Sequence, residues 1–262
     1  MRLRTMIITL LCIASSMLTA QEYQLSKPLI KVDGGGFFEK KAQVILDFRL
    51  EGASLHYTLD GTEPTEASKR YKKALTLKKS GVIKVKAFKS GFLPSETITT
   101  EIHKLGWKIE AIELSPDPAK SYPGNGSSTL TDQQAGSLNF RDGKWLGYNK
   151  GPVTITLDLG KAKKAEEILV STLTSAGAWI MPPTTINSQL SADGQQYTDG
   201  PSLDIAEQKQ TDASGKVYYR LSTSGQKFRY IKLVIQPLKN LPAWHLGKGN
   251  AGWIFLDEII VR

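Results

Sequence analysis

Residues 82–88 read VIKVKAF, and apolar residues alternate with lysines in this stretch. Ile83, Val85 and Ala87 share one parity and are all apolar, whereas Lys84 and Lys86 stand on the other parity. Successive side chains of a β-strand point to opposite faces of the sheet, so this pattern buries one face and leaves lysines on the other. The stretch therefore predicts a half-buried strand.

Short runs of the same kind recur along the chain. They are rich in β-branched and aromatic residues and are bounded by Gly, Pro, Asp or Asn, which is typical of strands and turns. No stretch of twelve or more residues keeps the apolar period of a surface helix. The sequence therefore predicts an all-β protein, with further strands in the runs at 44–48, 55–59, 153–159, 168–173, 218–221, 230–235 and 253–261.

A stretch rich in turn-forming residues, 115–128, follows an alternating run at 108–114. We place a domain boundary near residue 105, so that the alternating run opens the second domain. The predicted organisation is a leader over residues 1–20, a first domain over 21–104 and a second over 105–262. The chain after the leader, about 240 residues, is long enough for two domains of ordinary size.

Residues 1–20 have the layout of a secretory signal peptide. Arg2 and Arg4 provide a positive start, residues 6–14 are almost wholly apolar, and small residues lead to Ala20. An N-terminal membrane anchor is the alternative, but the apolar run is shorter than the ~20 residues that span a bilayer. We expect the leader to be cleaved, which leaves a mature chain with no transmembrane segment.

Cys12 is the only cysteine of the chain and lies within the predicted leader. A lipoprotein cysteine is a further alternative, but Leu11 stands where a small residue is expected. An exported chain without cysteine depends on its hydrophobic core rather than on disulfides. This favours a bacterial protein of the periplasm, the cell surface or the extracellular space.

The formal net charge of +9 is spread unevenly. Residues 21–104 contain 15 lysines and arginines against 10 acidic residues, and residues 105–262 contain 17 against 15. The lysines alternate along strands and do not cluster with aromatic residues as a nucleic-acid footprint does. We expect solvated strand faces and no nucleic-acid partner, with a weak attraction to acidic polysaccharide or an anionic membrane surface left open.

The stretch YTLDGTEPT at residues 57–65, followed by Ser68, Tyr71 and Gly91, carries a family resemblance. It resembles the small immunoglobulin-like module that follows the catalytic barrel in many bacterial β-hexosaminidases, the chitobiase/β-hexosaminidase C-terminal module. The resemblance covers about residues 26–103. It implies an immunoglobulin-like β-sandwich in which this segment is turn chemistry, whereas the alternative would make Asp60 and Glu63 a catalytic carboxylate pair.

Six motifs of the second domain follow in a recognisable order: DGKWLGY at 142–148, VTITLDLG at 153–160, SADGQQY at 191–197, RYIKL at 229–233, AWHLGKG at 243–249 and WIFLDEI at 253–259. Together they resemble the discoidin (coagulation factor 5/8 type C) domain, in the version found at the C-terminus of bacterial β-hexosaminidases. The resemblance covers about residues 120–262. It implies a discoidin-like jelly-roll β-sandwich related to galactose-binding modules.

Sugar recognition requires an aromatic ring for the C–H faces of the sugar and polar groups for its hydroxyls. The loop before the last strand, 241–252, carries Trp244 and His245, and the loop at 141–150 resembles the first binding loop of the family. Trp145 and Trp253 are expected in the core. We predict ligand contacts by Trp244, His245, Tyr148, Asn149, Arg141 and Trp179.

The resemblance also implies a structural Ca²⁺ site, because discoidin-type modules hold the ion with an early Asp and a Glu near the last strand. The matching positions are Asp132 and Glu258. Calcium takes six to eight oxygen ligands, carboxylates among them. Gln133 departs from the family, which often has Gly there, and Glu258 has the alternative role of capping the closing strand.

Glycoside hydrolysis needs two carboxyl groups, or one and a substrate group, on either side of the bond. The related enzymes carry them on a barrel of about 250 residues, which this chain lacks. We therefore predict a secreted, non-enzymatic protein that docks on glycans with galactose or N-acetylhexosamine, or on cell-surface polysaccharide. The alternatives are a structural or partner-binding envelope protein and a detached accessory fragment of a β-N-acetylhexosaminidase.

Overall fold

The computed structural model describes residues 23–262, which form two β-sandwiches. The helical segments among these residues are short 3₁₀ turns. The predicted leader, residues 1–20, lies outside the described residues. The strands are β1 (Leu29–Val32), β2 (Phe37–Phe38), β3 (Ala42–Asp47), β4 (Ser54–Thr58), β5 (Lys69–Arg70), β6 (Leu75–Leu77), β7 (Gly81–Phe88), β8 (Ile98–Lys104), β9 (Ala111–Ser115), β10 (Leu146–Tyr148), β11 (Val153–Lys164), β12 (Glu167–Thr174), β13 (Thr185–Ser191), β14 (Thr198–Asp204), β15 (Gly215–Ser222), β16 (Lys227–Gln236) and β17 (Ile254–Val261). The 3₁₀ turns are Asp33–Gly36, Gly126–Leu130 and Ala176–Ala178.

The first sandwich packs a three-stranded sheet of order β1-β3-β6 against a five-stranded sheet of order β2-β8-β7-β4-β5. Its core contains Ile83, Val85 and Ala87, each at most 1% exposed, while Lys84 and Lys86 point outwards. The half-buried strand predicted from VIKVKAF is thus confirmed. The rest of the core comes mainly from the apolar parity of β3 and from Leu55 and Ile102.

The second sandwich packs a four-stranded sheet of order β10-β17-β12-β15 against a five-stranded sheet of order β14-β13-β16-β11-β9. All pairings in both sheets are antiparallel. The inward side chains of β11, β16, β12 and β17 form one large apolar core. The predicted fold class, all-β with two successive sandwiches, is confirmed.

Strand β17 is buried on both faces, so the four-stranded sheet has an outer face that is also covered. Ile254 and Leu256 point into the sandwich, whereas Phe255 and Ile260 pack against cover on the outer side. Pairing with β12 shifts register between Ser171 and Thr172, which makes Asp257 the extra residue of a β-bulge. A bulge re-aims neighbouring side chains, and here it places Asp257 and Glu258 side by side in a buried setting.

The first domain supplies part of that outer cover. Phe37 is 3% exposed and packs in one cluster with Leu169 and Ile260 of the second domain. Strand β8 ends at Lys104, the Leu105 N–H donates to Phe38 O at 2.8 Å, and the Trp107 N–H donates to Val261 O at 2.7 Å. The link between the sandwiches is therefore short and hydrogen-bonded to both of them.

Among residues 23–262, no helix has the length and apolar character needed to cross a membrane.

Candidate functional site

Three of the predicted ligand residues come together at one end of the second sandwich. The ring centroids of Trp244 and His245 lie 5.6 Å apart, and those of Trp179 and His245 lie 6.0 Å apart. Trp179 follows the 3₁₀ turn Ala176–Ala178, and the other two lie in the loop before β17. We call Trp179, Trp244 and His245, with the loop residues Leu241–Asn250, the loop-end site.

Trp179 is held in an unusual conformation. Its φ is +66°, in the left-handed region that a bulky residue rarely adopts, and its side chain is 38% exposed. The Trp179 N–H donates to Ala176 O at 2.8 Å, and Trp179 O accepts from the Trp253 N–H at 2.8 Å. Such backbone strain persists only where the surroundings impose it, and it concentrates at functional positions.

His245 positions the loops and does not offer its ring to a ligand. The ring is 7% exposed; Nε2 lies 2.7 Å from Ala176 O, and the Gly247 N–H donates to Nδ1 at 2.9 Å. A nitrogen that accepts a hydrogen bond carries no proton, so these partners select the neutral imidazole with its proton on Nε2. The structure thus corrects the prediction that His245 contacts ligand: both nitrogens are already used.

Gly247 allows the Trp179 ring to lie directly against the loop. A Cβ at this position would lie 2.6 Å from Cζ2 of Trp179. Only glycine leaves room for the ring. The loop itself is compact, since the Leu241 N–H donates to Asn250 O at 2.7 Å and the Gly249 N–H donates to Leu241 O at 3.0 Å. At its tip Leu246 is fully exposed.

Tyr148 does not belong to this surface. It lies in β10, is 2% exposed and packs in the main core of the second sandwich. Burial raises the pKa of its hydroxyl well above the ordinary value. The structure therefore corrects the prediction of Tyr148 as a ligand contact, because its ring and hydroxyl are enclosed. The next residue, Asn149, is partly exposed and by register falls opposite Trp253, at the same end as Trp179.

Arg141 is exposed, but it lies on a different feature. Its guanidinium stacks on the Phe140 ring at 5.1 Å, and the Phe140 ring packs edge-on against Phe255 with centroids 5.8 Å apart. Tyr122, Phe140, Arg141 and Trp145 line a cavity of 440 Å³ there. Trp145 is 1% exposed, as expected of a core residue.

One aromatic cluster lies beneath both features. Its buried part consists of Trp145, Leu173, Ile180 and Phe255, and Tyr122, Phe140, Ala178 and Trp253 pack against it. The segment carrying Arg141 and the segment carrying Trp179 are thus supported by the same side chains. The structure brings Trp179, Trp244 and His245 into contact and joins Arg141 to them only through this shared support.

Asp132 and Glu258, the predicted calcium ligands, lie near each other at the bulge of β17. Glu258 is 2% exposed, and its Oε2 accepts from the Gln133 N–H at 3.1 Å. Burial, with the nearby charges of Asp257 and Asp132, raises the pKa of Glu258 to about 9. Gln133 adopts a φ of +64°, in the left-handed region that glycine enters most readily.

This donor set fits a hard cation in its chemistry but is small. Carboxylate oxygens are what calcium prefers, and a cation would relieve the repulsion between these acidic groups. Within residues 23–262, no three or more His, Cys, Asp or Glu side chains group closely enough to hold a metal. Calcium held by Asp132 and Glu258 would therefore need its remaining oxygens from the backbone or from water.

Asp60 and Glu63 make no catalytic pair. Asp60 Oδ1 accepts from the Thr62 N–H at 3.0 Å and from its hydroxyl at 2.6 Å, and these bonds lower the pKa of Asp60. Glu63 accepts from the Thr97 hydroxyl and from Lys86 Nζ, which lower its pKa. Both carboxylates are engaged in turn and cross-strand bonds, as the resemblance implies.

Sequence reasoning missed Tyr122 and Phe140 in the cavity beside Arg141. Tyr122 stands within a turn-rich segment, and its ring packs on Trp253 and Phe255 with centroids 5.2 Å and 4.8 Å away. An isolated aromatic among turn formers is the only signal that the sequence offers. The fully exposed Leu246 was also missed, because local pattern does not tell a loop tip from a packed corner.

Comparison with known proteins finds a family model that matches part of the first domain. The family model described as the chitobiase/beta-hexosaminidase C-terminal domain matches residues 33–100. The comparison with curated protein sequences found no match.

Several solved structures are similar to part of the chain. One is the C-terminal domain of a chitobiase from Bacteroides fragilis, with 19% identity over 60% of this chain and 92% of that one, at a TM-score of 0.37. Another is CpGH89CBM32-6 produced by Clostridium perfringens, with 16% identity over 58% and 91% and a TM-score of 0.33. A third is chitosan-binding module 1 from a chitosanase/glucanase of Paenibacillus sp. IK-5, with 11% identity over 58% and 93% and a TM-score of 0.37.

Proposed function

We propose that this chain is an exported, non-catalytic carbohydrate-binding protein that docks on glycans through the loop-end site. The observation that carries the proposal is the placement of Trp179. Its backbone is strained at a φ of +66°, and its side chain is 38% exposed and packed beside His245, which follows Trp244. A flat, immobile aromatic surface stacks on the C–H face of a sugar at little entropic cost.

The rigidity of the loops supports this role. His245 ties the 3₁₀ turn Ala176–Ala178 to the loop before β17, through Ala176 O and the Gly247 N–H. Asn250 adds a further bond, since its Nδ2 donates to Gly247 O at 3.0 Å. A site that is ordered before binding avoids the entropic cost of ordering on contact.

Polar groups for sugar hydroxyls stand at the same end of the sandwich. Asn149 is partly exposed beside Trp253, and Lys248 and Asn250 are exposed on the loop that carries Trp244. Amide and ammonium groups supply both donors and acceptors to hydroxyls. The ligand that suits this set is a neutral sugar unit, of the galactose or N-acetylhexosamine type, within a glycan or cell-surface polysaccharide.

We propose in addition that Asp132 and Glu258 hold a structural Ca²⁺. The closeness of Asp132 to Glu258 supports it, because a cation would relieve the repulsion between acidic groups that raises the pKa of Glu258. The ion would stabilise the loop against β17 and take no part in binding sugar. The melting temperature should rise on adding Ca²⁺ to the chelator-treated protein and stay unchanged in Asp132→Asn; an equal rise in both would contradict the site.

The glycan proposal is tested by binding to a glycan array and to polysaccharide gels. Trp179→Ala and Trp244→Ala should each weaken binding about 10-fold or more, equivalent to about 1.4 kcal/mol. Phe92→Ala, which removes another half-exposed aromatic from the first domain, is the matched control and should leave binding unchanged. Retention of no glycan at millimolar concentration by the wild-type protein would overturn the proposal.

The docking of the two domains favours a second candidate function, a rigid spacer that binds a protein partner in the envelope. A partner captured from native envelope and retained in the presence of excess sugar would favour it over glycan docking. A nitrophenyl hexosaminide should not be turned over under either proposal, and turnover would show an enzymatic role.

A further inference from the structure

We propose that the cleft between the two sandwiches is a second saccharide-binding site, centred on Trp107 and separate from the loop-end site. The cleft has a volume of 620 Å³ and is lined by Glu39 and Lys40 of the first domain, by residues 105–109 of the link, and by Thr131, Gln133 and Glu258 of the second domain. Ligand sites form preferentially at domain junctions, and cavities of a few hundred cubic ångströms suit small ligands.

Trp107 is a fixed aromatic surface within this cleft. Its backbone N–H donates to Val261 O at 2.7 Å, and its indole Nε1–H donates to Lys164 O at 3.0 Å. Lys163 Nζ lies 4.2 Å from the ring centroid. Despite these contacts the side chain is 43% exposed. A ring held this firmly, yet left open to solvent, loses little entropy and gains apolar burial when a ligand covers it.

The link that carries Trp107 cannot easily move away. Gly106 runs so close to the end of β17 that a Cβ there would lie 1.9 Å from Val261 O. Only glycine permits this approach. On the other side of Trp107, Ile109 packs against the core of the second sandwich. The position of the ring therefore depends on tertiary packing on both sides of it in the chain, at Gly106 and at Ile109.

The chemistry of the cleft points to a neutral, hydroxyl-rich ligand. Glu39 and Lys40 are both exposed, adjacent and opposite in charge, so together they select neither an anion nor a cation. A carboxylate accepts and an ammonium donates, while the Thr131 hydroxyl and the Gln133 amide do both. Leu105 and Ile109 add apolar wall beside the indole. Hydroxyl groups around a ring with C–H faces match this combination.

The site exists only while the two domains are docked, because its walls come from both. Phe37 precedes Glu39 by two residues and packs against Ile260, which itself lines the cleft. Docking through Phe37 thus brings Glu39 and Lys40 over the link. A single domain would carry half of the site.

Indole N–H resonances of the ¹⁵N-labelled full chain provide the test, since each of the five tryptophans gives one signal. Galactose, N-acetylgalactosamine and N-acetylglucosamine are added separately, in calcium-free buffer that keeps the Asp132 and Glu258 region constant. We expect the Trp107 signal, assigned from Trp107→Phe, to shift with at least one of these sugars. The double variant Glu39→Ala with Lys40→Ala, whose side chains are exposed, should weaken that shift about 5-fold or more without unfolding the protein.

The two proposed sites fail independently in this experiment. Trp244→Ala should abolish shifts at the loop-end site and leave the Trp107 titration unchanged. The proposed site at Trp107 would be overturned by a Trp107 signal that responds to none of the three sugars, or by an unchanged affinity in the Glu39→Ala and Lys40→Ala double variant. Either result would count whatever is found at the loop-end site.

Discussion

Two regions of the outer face of the four-stranded sheet are covered by different parts of the molecule, and the two covers differ. At the Phe255 end the second domain provides the cover, with the rings of Tyr122 and Phe140 packed tilted and edge-on and Trp145 buried in the same cluster. At the Ile260 end the first domain provides the cover through Phe37. The first cover is wholly aromatic and apolar, whereas the second carries polar groups that are buried with it.

The cover from the first domain includes a histidine in an unfavourable position. His103 of β8 is 1% exposed, and its ring lies 4.1 Å from Tyr218 and 5.8 Å from Phe37, centroid to centroid. Neither of its ring nitrogens has a hydrogen-bond partner among the described residues. By contrast, His245 at the loop end uses both nitrogens. The loop end is thus held rigid by its hydrogen bonds, whereas the interface between the domains contains an unpartnered titratable group, which makes docking sensitive to pH.

Removing the apolar anchor of docking should have the largest effect. Phe37→Ala deletes a buried ring that contacts Ile260 and Leu169, at an expected cost of about 4 kcal/mol. We expect wild type to unfold in one calorimetric transition and this variant in two, because the domains lose their coupling. Phe92→Ala, at a 38% exposed ring, is the control and should keep one transition. A single transition at unchanged temperature in Phe37→Ala would refute the docking role.

The second-largest effect is expected from overpacking the aromatic cover at the Phe255 end, which the second domain provides. A Cβ on Gly136 would lie 2.1 Å from Cε2 of the buried Trp145, so Gly136→Ala must displace the ring. We expect a loss of about 3 kcal/mol in the free energy of unfolding. Gly177→Ala, where a Cβ meets nothing within 4 Å, provides the matched control in chemical denaturation. Equal stabilities of the two variants would show that this cover is loose.

The third prediction concerns pH. Burial, with the charges of Arg220, Arg262 and Lys216, lowers the pKa of His103 from 6.5 to about 3 in the folded protein. The folded state therefore excludes a proton that the unfolded chain binds. The contribution of neutral His103 to the free energy of unfolding is fully present above pH 6.5 and is lost as the pH falls towards 3. From pH 7 to pH 5 the loss attributable to His103 should be about 2 kcal/mol.

His103→Phe isolates this contribution, since other groups titrate in the same range. Glu101 Oε2 lies 3.7 Å from His103 Nε2, and the raised pKa of Asp257, about 6 through burial, acts in the opposite direction. The difference in unfolding free energy between wild type and variant should change with pH by the stated amount. A pH-independent difference would mean that the interface accepts the imidazolium ion.

The smallest effect is expected at the rim of the interface. Arg220 Nη2 donates to Glu101 Oε2 across the two domains, with side chains 42% and 29% exposed. Arg220→Ala should cost no more than about 1 kcal/mol, because exposed ion pairs are screened by water and salt. Denaturation at low and high salt measures it, and the cost should shrink at high salt. A cost as large as that of Phe37→Ala would place charge ahead of apolar contact in docking.

Much of the fold could be predicted from the sequence because strands report their buried face locally. VIKVKAF alternates, and β7 buries one parity in the structure. The run at 253–261 does not alternate cleanly, and β17 is buried on both faces. The candidate site was only partly predictable. Trp179 and Trp244 are aromatic residues of loops, and each packs against His245. The burial of Tyr148 and His245 depends on residues distant in the chain.

Alternation, Gly and Pro act over a few residues, and for that reason the two sandwiches and the turn around Asp60 could be predicted from the amino-acid sequence. The residues that cover the outer face of β17 could not be predicted, because they are distant from β17 in the chain and reach it only when the protein folds. Phe37 reaches Ile260 and Trp107 remains exposed beside them for that reason. The periodicity of the sequence predicts which face of a strand is buried, but the residues that bury it are set by the packing of the domains.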